Sequence, residues 1–342
     1  MHTCNLHRPL HVARLGTMRG LFSANHLRVL MDRFCVHSTV NQSTIAFGAV
    51  EKFTVASLKA KYEKAVPITA VTAYDFPSAK QVDDSGIDIV LVGDSAAMVV
   101  HGHSTTLPIT LEEMISHAKA VKRGTQRAMI VGDLPFGSYE ESDKLAITSA
   151  VRYVKEGGVD AVKLEGATED RLRAIDAIVS AGVPVMGHIG LTPQSVNVLG
   201  GFKPQGKTAS CALKLVESAV KLEEFGCFAI VVECVPELVA QAITDSVSIP
   251  TIGIGAGICT SGQVLVYHDL LGLTQHPHHA SVTPKFCKRY AELGEKITSA
   301  LDAFKFDVEH KHFPSKQFVP YGMSEVEAKR FVEQLAQRGL RC

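Results

Sequence analysis

The sequence predicts an α/β protein built as one (β/α)8 barrel with an extra C-terminal helix. Three observations carry this. From Pro67 onward, short runs rich in Val and Ile recur at a regular pace and are apolar almost throughout, as parallel strands buried on both faces are. Each run is followed by a stretch of helical periodicity that stops near a glycine, the sequence form of repeated βα units. Seven or eight such units fill about 220 residues, close to the roughly 250 of a closed barrel. An open doubly wound sheet is the alternative, but it usually carries GxGxxG after its first strand. Here that strand leads into Thr72-Ala73-Tyr74-Asp75.

In chain order, the predicted strands are 68–74, 87–93, 128–132, 161–164, 184–187, 227–232 and 250–254, with 264–267 as the eighth candidate. Between them, 111–123 places Leu111, Met114, Ile115, Ala118 and Val121 at helical spacing, and Gly124 stops it. Residues 143–156 end in Gly157-Gly158, 170–180 end near Gly182, and 209–225 end at Gly226. The eighth barrel helix is expected over 285–308. A Pro-punctuated linker, 313–320, then leads to a last helix. Ser324 and Glu327 there have the spacing of a capping box, and Ala328, Phe331, Val332 and Leu335 form one apolar stripe. The stripe must bury against the barrel or a neighbouring subunit.

The 342 residues carry 35 Lys and Arg against 35 Asp and Glu, so no basic balance points to nucleic acid. A hydrophobic fraction of 46% with 20% charged residues describes a soluble globular chain. Two long uncharged stretches, 183–202 and 246–268, are broken by Gly, Pro and polar residues, which argues against a membrane span. Eight scattered cysteines with no CxxC pair read as reduced, buried thiols, not as a disulfide framework or zinc site.

The even charge balance hides an asymmetry. Residues 1–50 hold five arginines, no lysine and one acid, Asp32, so the rest of the chain has 30 of the 35 bases and 34 of the 35 acids. An Arg-rich, acid-poor leader with Ser and Thr has the composition of a mitochondrial transit peptide. Leu15, Met18 and Phe22 fall near one helical face, with Arg14 and Arg19 off it. A disordered extension is the other reading of such a composition. The expected division is a leader at 1–50, a catalytic barrel at 51–312, and a linker with terminal helix at 313–342.

In barrels of this kind chemistry gathers at the C-terminal ends of the strands. The polar residues that close the first six runs are Asp75, Asp94, Asp133, Glu165, His188 and Glu233. Strand ends often take Asp for turn or capping reasons, but six in succession exceed what capping explains. Carboxylates converging on one mouth repel one another unless a cation sits among them. Oxygen ligands suit a hard ion such as Mg²⁺. Zinc is disfavoured, because the single strand-end His lacks a Cys or second His at ligand spacing. The loop histidines His276, His278 and His279 form a separate cluster, read as solvated or packing residues. Lys163 precedes Glu165 by two residues and so shares its side of the strand, where it can neutralise an anionic substrate. Gly253-Ile254-Gly255-Ala256-Gly257 is either a phosphate cradle or a tight packing turn.

These residues lie in six motifs, in order: Val92-Gly93-Asp94-Ser95, Gly132-Asp133-Leu134-Pro135-Phe136, Val162-Lys163-Leu164-Glu165-Gly166, Gly187-His188-Ile189-Gly190-Leu191-Thr192-Pro193-Gln194, Glu233-Cys234-Val235-Pro236, and 252–257. With them the chain closely resembles the ketopantoate (3-methyl-2-oxobutanoate) hydroxymethyltransferases, from about residue 61 to 313. The resemblance implies a barrel of the phosphoenolpyruvate/pyruvate superfamily. It also implies transfer of a hydroxymethyl group from 5,10-methylenetetrahydrofolate to 3-methyl-2-oxobutanoate, giving 2-dehydropantoate. By motif match, Asp94, Asp133 and Glu165 resemble the Mg²⁺ environment, with Glu165 acting directly or through water. Ser95, Asp94, Asp133 and Lys163 resemble substrate contacts, Glu233 the general base, and His188 a group that orients substrate or relays a proton. Large homo-oligomers, commonly decamers, are implied as well.

Two other readings stay beside this one. A phosphoenolpyruvate-mutase or isocitrate-lyase-like enzyme would share the barrel, but those lyases use a Lys-Lys-Cys-Gly stretch that this sequence lacks. A non-catalytic metabolite-binding barrel would not need the intact set of Asp94, Asp133, Lys163, Glu165, His188 and Glu233.

Overall fold

A computed structural model describes residues 51–273 and 285–341. The leader and the His276–His279 loop lie outside the described residues. Eight parallel strands close in sequence order: β1 (Ile68–Thr72), β2 (Ile89–Val92), β3 (Met129–Asp133), β4 (Ala161–Lys163), β5 (Val185–Gly190), β6 (Ala229–Glu233), β7 (Thr251–Ile254) and β8 (Gly262–Leu265). The ring is completed where β8 pairs with β1, Ile68 opposite Gly262. The eight-strand barrel read from the sequence is therefore the fold.

Helix α1 (Val55–Glu63) precedes the first strand, and its Leu58 packs in the same cluster as the barrel interior, plugging the N-terminal end. The connections carry α2 (Phe76–Asp84), α3 (Ala96–Val99), α4 (Leu111–Gly124), α5 (Asp143–Arg152), α6 (Glu169–Ser180), α7 (Val196–Leu199), α8 (Ala209–Glu224), α9 (Glu237–Ser246) and α10 (Tyr267–Leu270). Two further helices, α11 (Leu293–Glu309) and α12 (Glu325–Gln337), come after the barrel strands. Thr110 and Glu113 form a reciprocal capping box at α4, which buries Leu111, Met114, Ile115, Ala118 and Val121, the stripe its periodicity predicts.

The period of two divides each strand between two cores. Ile89, Leu91, Met129, Val131, Ala161, Met186, Ala229 and Val231 fill the barrel interior. Val90, Val92, Ile130, Val162, Val185, Ile230 and Val232 face the helices. Continuing the inward register by one step reaches Asp133 on β3, Lys163 on β4, His188 on β5 and Glu233 on β6. Polar residues thus form the top layer of an otherwise apolar interior.

Several expected details differ. Asp75 does not join the mouth. It is exposed and caps α2, its side chain accepting from the Ser78 backbone N–H at 2.8 Å, with Pro77 in the first helical turn. Four strand-end carboxylates converge, not five. The eighth barrel helix begins at Leu293, not Lys285. The helix expected over 143–156 ends at Arg152 and continues as one π-helical turn, Tyr153–Gly157. At α12 only half of the capping box forms, with Ser324 Oγ accepting from Glu327 N at 3.3 Å. Among the thiols, Cys227 is buried as expected, but Cys211 is exposed on α8.

Candidate active site

The top layer begins with a charged line across three strands. Lys163 Nζ lies 2.8 Å from Asp133 Oδ1 and 3.0 Å from His188 Nδ1. Burial opposes the Lys163 charge, but Asp133, Glu165 and Asp94 outweigh it and raise its pKa above the ordinary value. A charged ammonium only donates, so His188 Nδ1 accepts and the imidazole proton is assigned to Nε2. Burial and the Lys163 charge hold the imidazole pKa well below normal, which keeps the ring neutral. Nε2 faces Glu233 Oε2 at 3.2 Å without hydrogen-bond alignment, and Nδ1 is 3.6 Å from Glu165 Oε1.

The second half of the site hangs on Gln194, a motif residue to which the sequence alone attaches no role. Its side-chain N–H donates to Asp94 Oδ2 at 2.8 Å and to the Leu134 carbonyl at 3.0 Å. Its backbone N–H donates to Glu165 Oε2 at 2.9 Å, and its Oε1 accepts from Tyr139 OH at 2.5 Å. Tyr139 also accepts from the Glu165 backbone N–H at 3.4 Å. Asp133 Oδ2 accepts from Asp94 N at 3.1 Å, tying the ends of β2 and β3 together. Ser95 stands beside Asp94, its hydroxyl paired with Tyr74 OH at 2.8 Å.

Two glycines permit this approach. A Cβ at Gly132 would lie 2.6 Å from the Tyr153 ring beneath β3. Gly190, at φ +96, abuts the Glu233 carbonyl, where a Cβ would come within 2.1 Å.

Seven predicted residues, Asp94, Ser95, Asp133, Lys163, Glu165, His188 and Glu233, all line one cavity of about 530 Å³ at the C-terminal mouth. Four strand-end carboxylates, Asp94, Asp133, Glu165 and Glu233, share it with Lys163, and Asp269 and Lys285 line it as well. Burial, then Asp133, pushes the Asp94 carboxyl up to about 7. Burial alone outweighs Lys163 and brings Glu233 to about 7. Glu165 is raised well above the carboxylate range by burial, with Asp94 and Asp133 adding to it. Such a set gains by taking up a cation. Among the described residues no three His, Cys, Asp or Glu side chains are gathered to hold an ion on their own. Oxygen donors of this kind suit a hard ion such as Mg²⁺, which binds through one or two carboxylates and keeps positions for water and substrate. Asp94 Oδ1 and Glu165 Oε1 are each left without a hydrogen bond among the described residues, so both carboxylates keep an oxygen open to an ion.

The glycine-rich turn after β7 is packed. A Cβ at Gly255 would meet the Phe286 ring, and Glu237 Oε1 accepts from the Ile258 N–H at 3.2 Å, so a carboxylate occupies the place of a bound anion. This favours the packing turn over the phosphate cradle.

A closed parallel barrel with an ionisable cluster at its C-terminal mouth defines a (β/α)8-barrel enzyme. A family model described as ketopantoate hydroxymethyltransferase matches residues 52–316, and the chain belongs to that family of transferases. It is 57% identical over 289 residues to 3-methyl-2-oxobutanoate hydroxymethyltransferase 1, mitochondrial, of Oryza sativa subsp. japonica, covering 84% of this chain and 79% of the relative. The protein of that name in Arabidopsis thaliana is 56% identical, with 84% and 83% covered. The 3-methyl-2-oxobutanoate hydroxymethyltransferase of Carboxydothermus hydrogenoformans is 49% identical, with 78% and 95% covered. The crystal structure of phosphonopyruvate hydrolase shares the fold, with a TM-score of 0.50 at 13% identity over 82% of this chain and 98% of that one.

Proposed function

We propose that this chain forms 2-dehydropantoate from 3-methyl-2-oxobutanoate, with 5,10-methylenetetrahydrofolate as the one-carbon donor and Mg²⁺ as cofactor. The observation that carries the reading is the line Asp133–Lys163–His188–Glu233, which joins a fixed cation to a carboxylate of raised basicity across four adjacent strands.

Asp94, with Asp133 and Glu165 around it, would hold the ion, directly or through water. When bound, Mg²⁺ supplies Lewis-acid polarisation of the oxo acid's carbonyl. Glu233 takes the C3 proton of the substrate; a carboxylate with pKa about 7 is a stronger base than an ordinary glutamate and is about half ionised at neutral pH. The electron pair left by that proton delocalises toward the keto oxygen, where Lys163 provides fixed positive charge. His188 Nε2–H, buried and without an aligned acceptor, orients Glu233 or the substrate. The donor's methylene carbon is held by two folate nitrogens. The bond from the substrate carbon replaces one C–N bond and a bond from a water oxygen replaces the other. The two nitrogens take up the C3 proton and one water proton as tetrahydrofolate is released. Ser95 fits as a contact to the substrate carboxylate.

Residues 1–50 are taken as a transit peptide, 51–312 as the catalytic barrel, and 313–342 as linker and helix. The matrix of the mitochondrion is the proposed location, supported by the leader's composition and by the mitochondrial names of the plant relatives. A homo-oligomer is proposed from the uncovered apolar stripes of α11 and α12. No nucleic-acid or membrane partner is proposed, and no helix among the described residues is long and apolar enough to cross a membrane.

The deciding experiment assays 2-dehydropantoate formation with and without Mg²⁺ and methylenetetrahydrofolate. Product must depend on both. Fusion of residues 1–50 to a fluorescent reporter should deliver it to mitochondria, and a cytosolic reporter would overturn the location.

A further inference from the structure

A five-carbon oxo acid and an ion held by the strand-end carboxylates would fill only the floor of the cavity. About 530 Å³ is the size that encloses a drug-sized ligand. Away from the floor the wall includes Phe202, Pro204, Ile254, Leu265 and Phe286, apolar surface with two aromatic rings against which a flat ring can stack. One further carboxylate stands in this cavity apart from Asp94, Asp133, Glu165 and Glu233. Asp269, on α10 after β8, lines it and is half-buried.

No described residue donates a hydrogen bond to the Asp269 side chain; Arg289 acts on it through charge alone. A half-buried carboxylate without a donor is costly unless a ligand supplies one. Burial, partly offset by Arg289, brings its pKa to about 6, so it is ionised at neutral pH and acts only as an acceptor. The ligand that completes it therefore has a flat apolar body and adjacent N–H donors on one edge.

We propose that Asp269 recognises the one-carbon donor, accepting paired hydrogen bonds from the ring N–H and exocyclic amino group of a reduced pterin seated against Phe202 and Phe286. This rests on the folate reading of the proposed function. The 2-amino-4-oxopyrimidine edge presents two parallel N–H groups, the geometry a carboxylate takes in bidentate fashion. Asp269 lies just after β8 and Glu233 ends β6, so β7 stands between the donor's recognition point and the proposed base.

The test uses the full chain with Mg²⁺ present throughout. Asp269→Asn should raise the KM for methylenetetrahydrofolate about tenfold or more, with the KM for the oxo acid little changed. Exchange of the oxo acid's C3 proton into deuterated water, which needs no donor, should persist. On the wild-type protein, 6-methyltetrahydropterin should inhibit competitively against the folate donor, and Asp269→Asn should weaken that inhibition in parallel. An unchanged donor KM in the variant, or loss of proton exchange along with transfer, overturns the assignment. Failure of the pterin to compete also overturns it, and does so even if the variant folds poorly. Product formation by the wild-type protein without any folate would overturn the donor reading itself, and this inference with it.

Discussion

Gln194 binds Asp94 and Glu165 at once, its side-chain N–H 2.8 Å from Asp94 Oδ2 and its backbone N–H 2.9 Å from Glu165 Oε2. Each carboxylate is thereby left one oxygen directed elsewhere, which sets how the proposed ion can be held. Gln194→Ala removes the donor to Asp94 and strands Tyr139 OH, while the backbone bond to Glu165 survives. A partner that orients metal ligands is typically worth about 10–100-fold in affinity. The Mg²⁺ concentration for half-maximal activity should rise by that order, with near-wild-type rate at saturating Mg²⁺. A variant whose Mg²⁺ dependence is unmoved would mean that Gln194 serves packing alone.

Much of this site was legible in the sequence because strand parity is local. Asp133, Lys163, His188 and Glu233 each continue the inward register of the apolar residue two positions before them, and for Asp133 and Glu233 of the one four positions before as well. Asp75 belongs to a helix instead of the mouth, and the signal for that is also local: Ser78 at the capping-box spacing and Pro77 in the first turn mark a helix N-terminus. Gln194 and Tyr139 were a different case. Gln194 meets Asp94 across 100 positions and Tyr139 across 55, and no periodicity encodes such a contact. The late start of α11 likewise has a non-local cause, since Tyr290 and Leu293 spend their N–H groups on the carbonyls of Leu270 and Leu271.

Asp94→Asn replaces a charged ligand of the proposed ion site by a neutral group. Mg²⁺ affinity should fall at least ~10–100-fold and turnover should nearly vanish. Because burial and Asp133 hold the wild-type carboxyl near 7 without metal, binding must displace its proton. Affinity should therefore increase as pH rises through 7, read by calorimetry in buffers of different ionisation enthalpy. Wild-type turnover that survives chelation and dialysis unchanged would sink the metal assignment.

Glu233 carries the sharpest pH prediction. As a base it must be ionised, so kcat/KM should rise with pH to a plateau, with a midpoint near the folded pKa of about 7. Glu233→Gln should abolish C3 proton exchange while oxo acid binding stays near normal. The raised pKa has a stability sign as well. Its contribution is fully present below the unfolded value of about 4.3 and is lost as pH rises through 7. Glu233→Gln should thus raise the melting temperature at pH 8, measured with chelator, and the gain should shrink toward pH 4. An acid limb centred near 4.5, or parental exchange in the variant, would assign the base elsewhere.

Asp83 tests the scaffold, far from the chemistry. Its carboxylate accepts from the backbone N–H groups of Gln126, Arg127 and Ala128, at 2.9, 3.0 and 2.7 Å, and so fixes the entry to β3. Burial works against its charge, but those hydrogen bonds and Arg127 outweigh it and lower its pKa. Asp83→Ala orphans the amides, and a loss of about 2–4 kcal/mol is expected. Since the folded pKa is depressed, the stabilisation exists above pH ~4 and fades as pH falls further. Equal denaturant midpoints for variant and parent at pH 7 would contradict this account.

The last prediction concerns assembly. In α11 the residues Ile297, Leu301, Phe304 and Val308 recur at helical spacing and are 48%, 62%, 55% and 46% exposed. Gly294 is the one buried residue of that helix, and none of α12 is buried, with Phe331 at 47% and Val332 at 50% exposure. A barrel's eighth helix ordinarily buries an apolar face against the strands. Two successive helices with open stripes exceed what a soluble monomer normally leaves in water, and a second copy offers a symmetric way to cover them. Leu301→Asp with Phe304→Asp should therefore shift particles to smaller mass by light scattering, and Phe331→Asp with Leu335→Asp should do the same if α12 shares the interface. The barrel's C3 proton exchange should outlast the dissociation, because the Asp133–Lys163–His188–Glu233 line comes from the strands of a single chain. Unchanged mass and unchanged melting temperature in both pairs would mean that neither stripe is covered in solution.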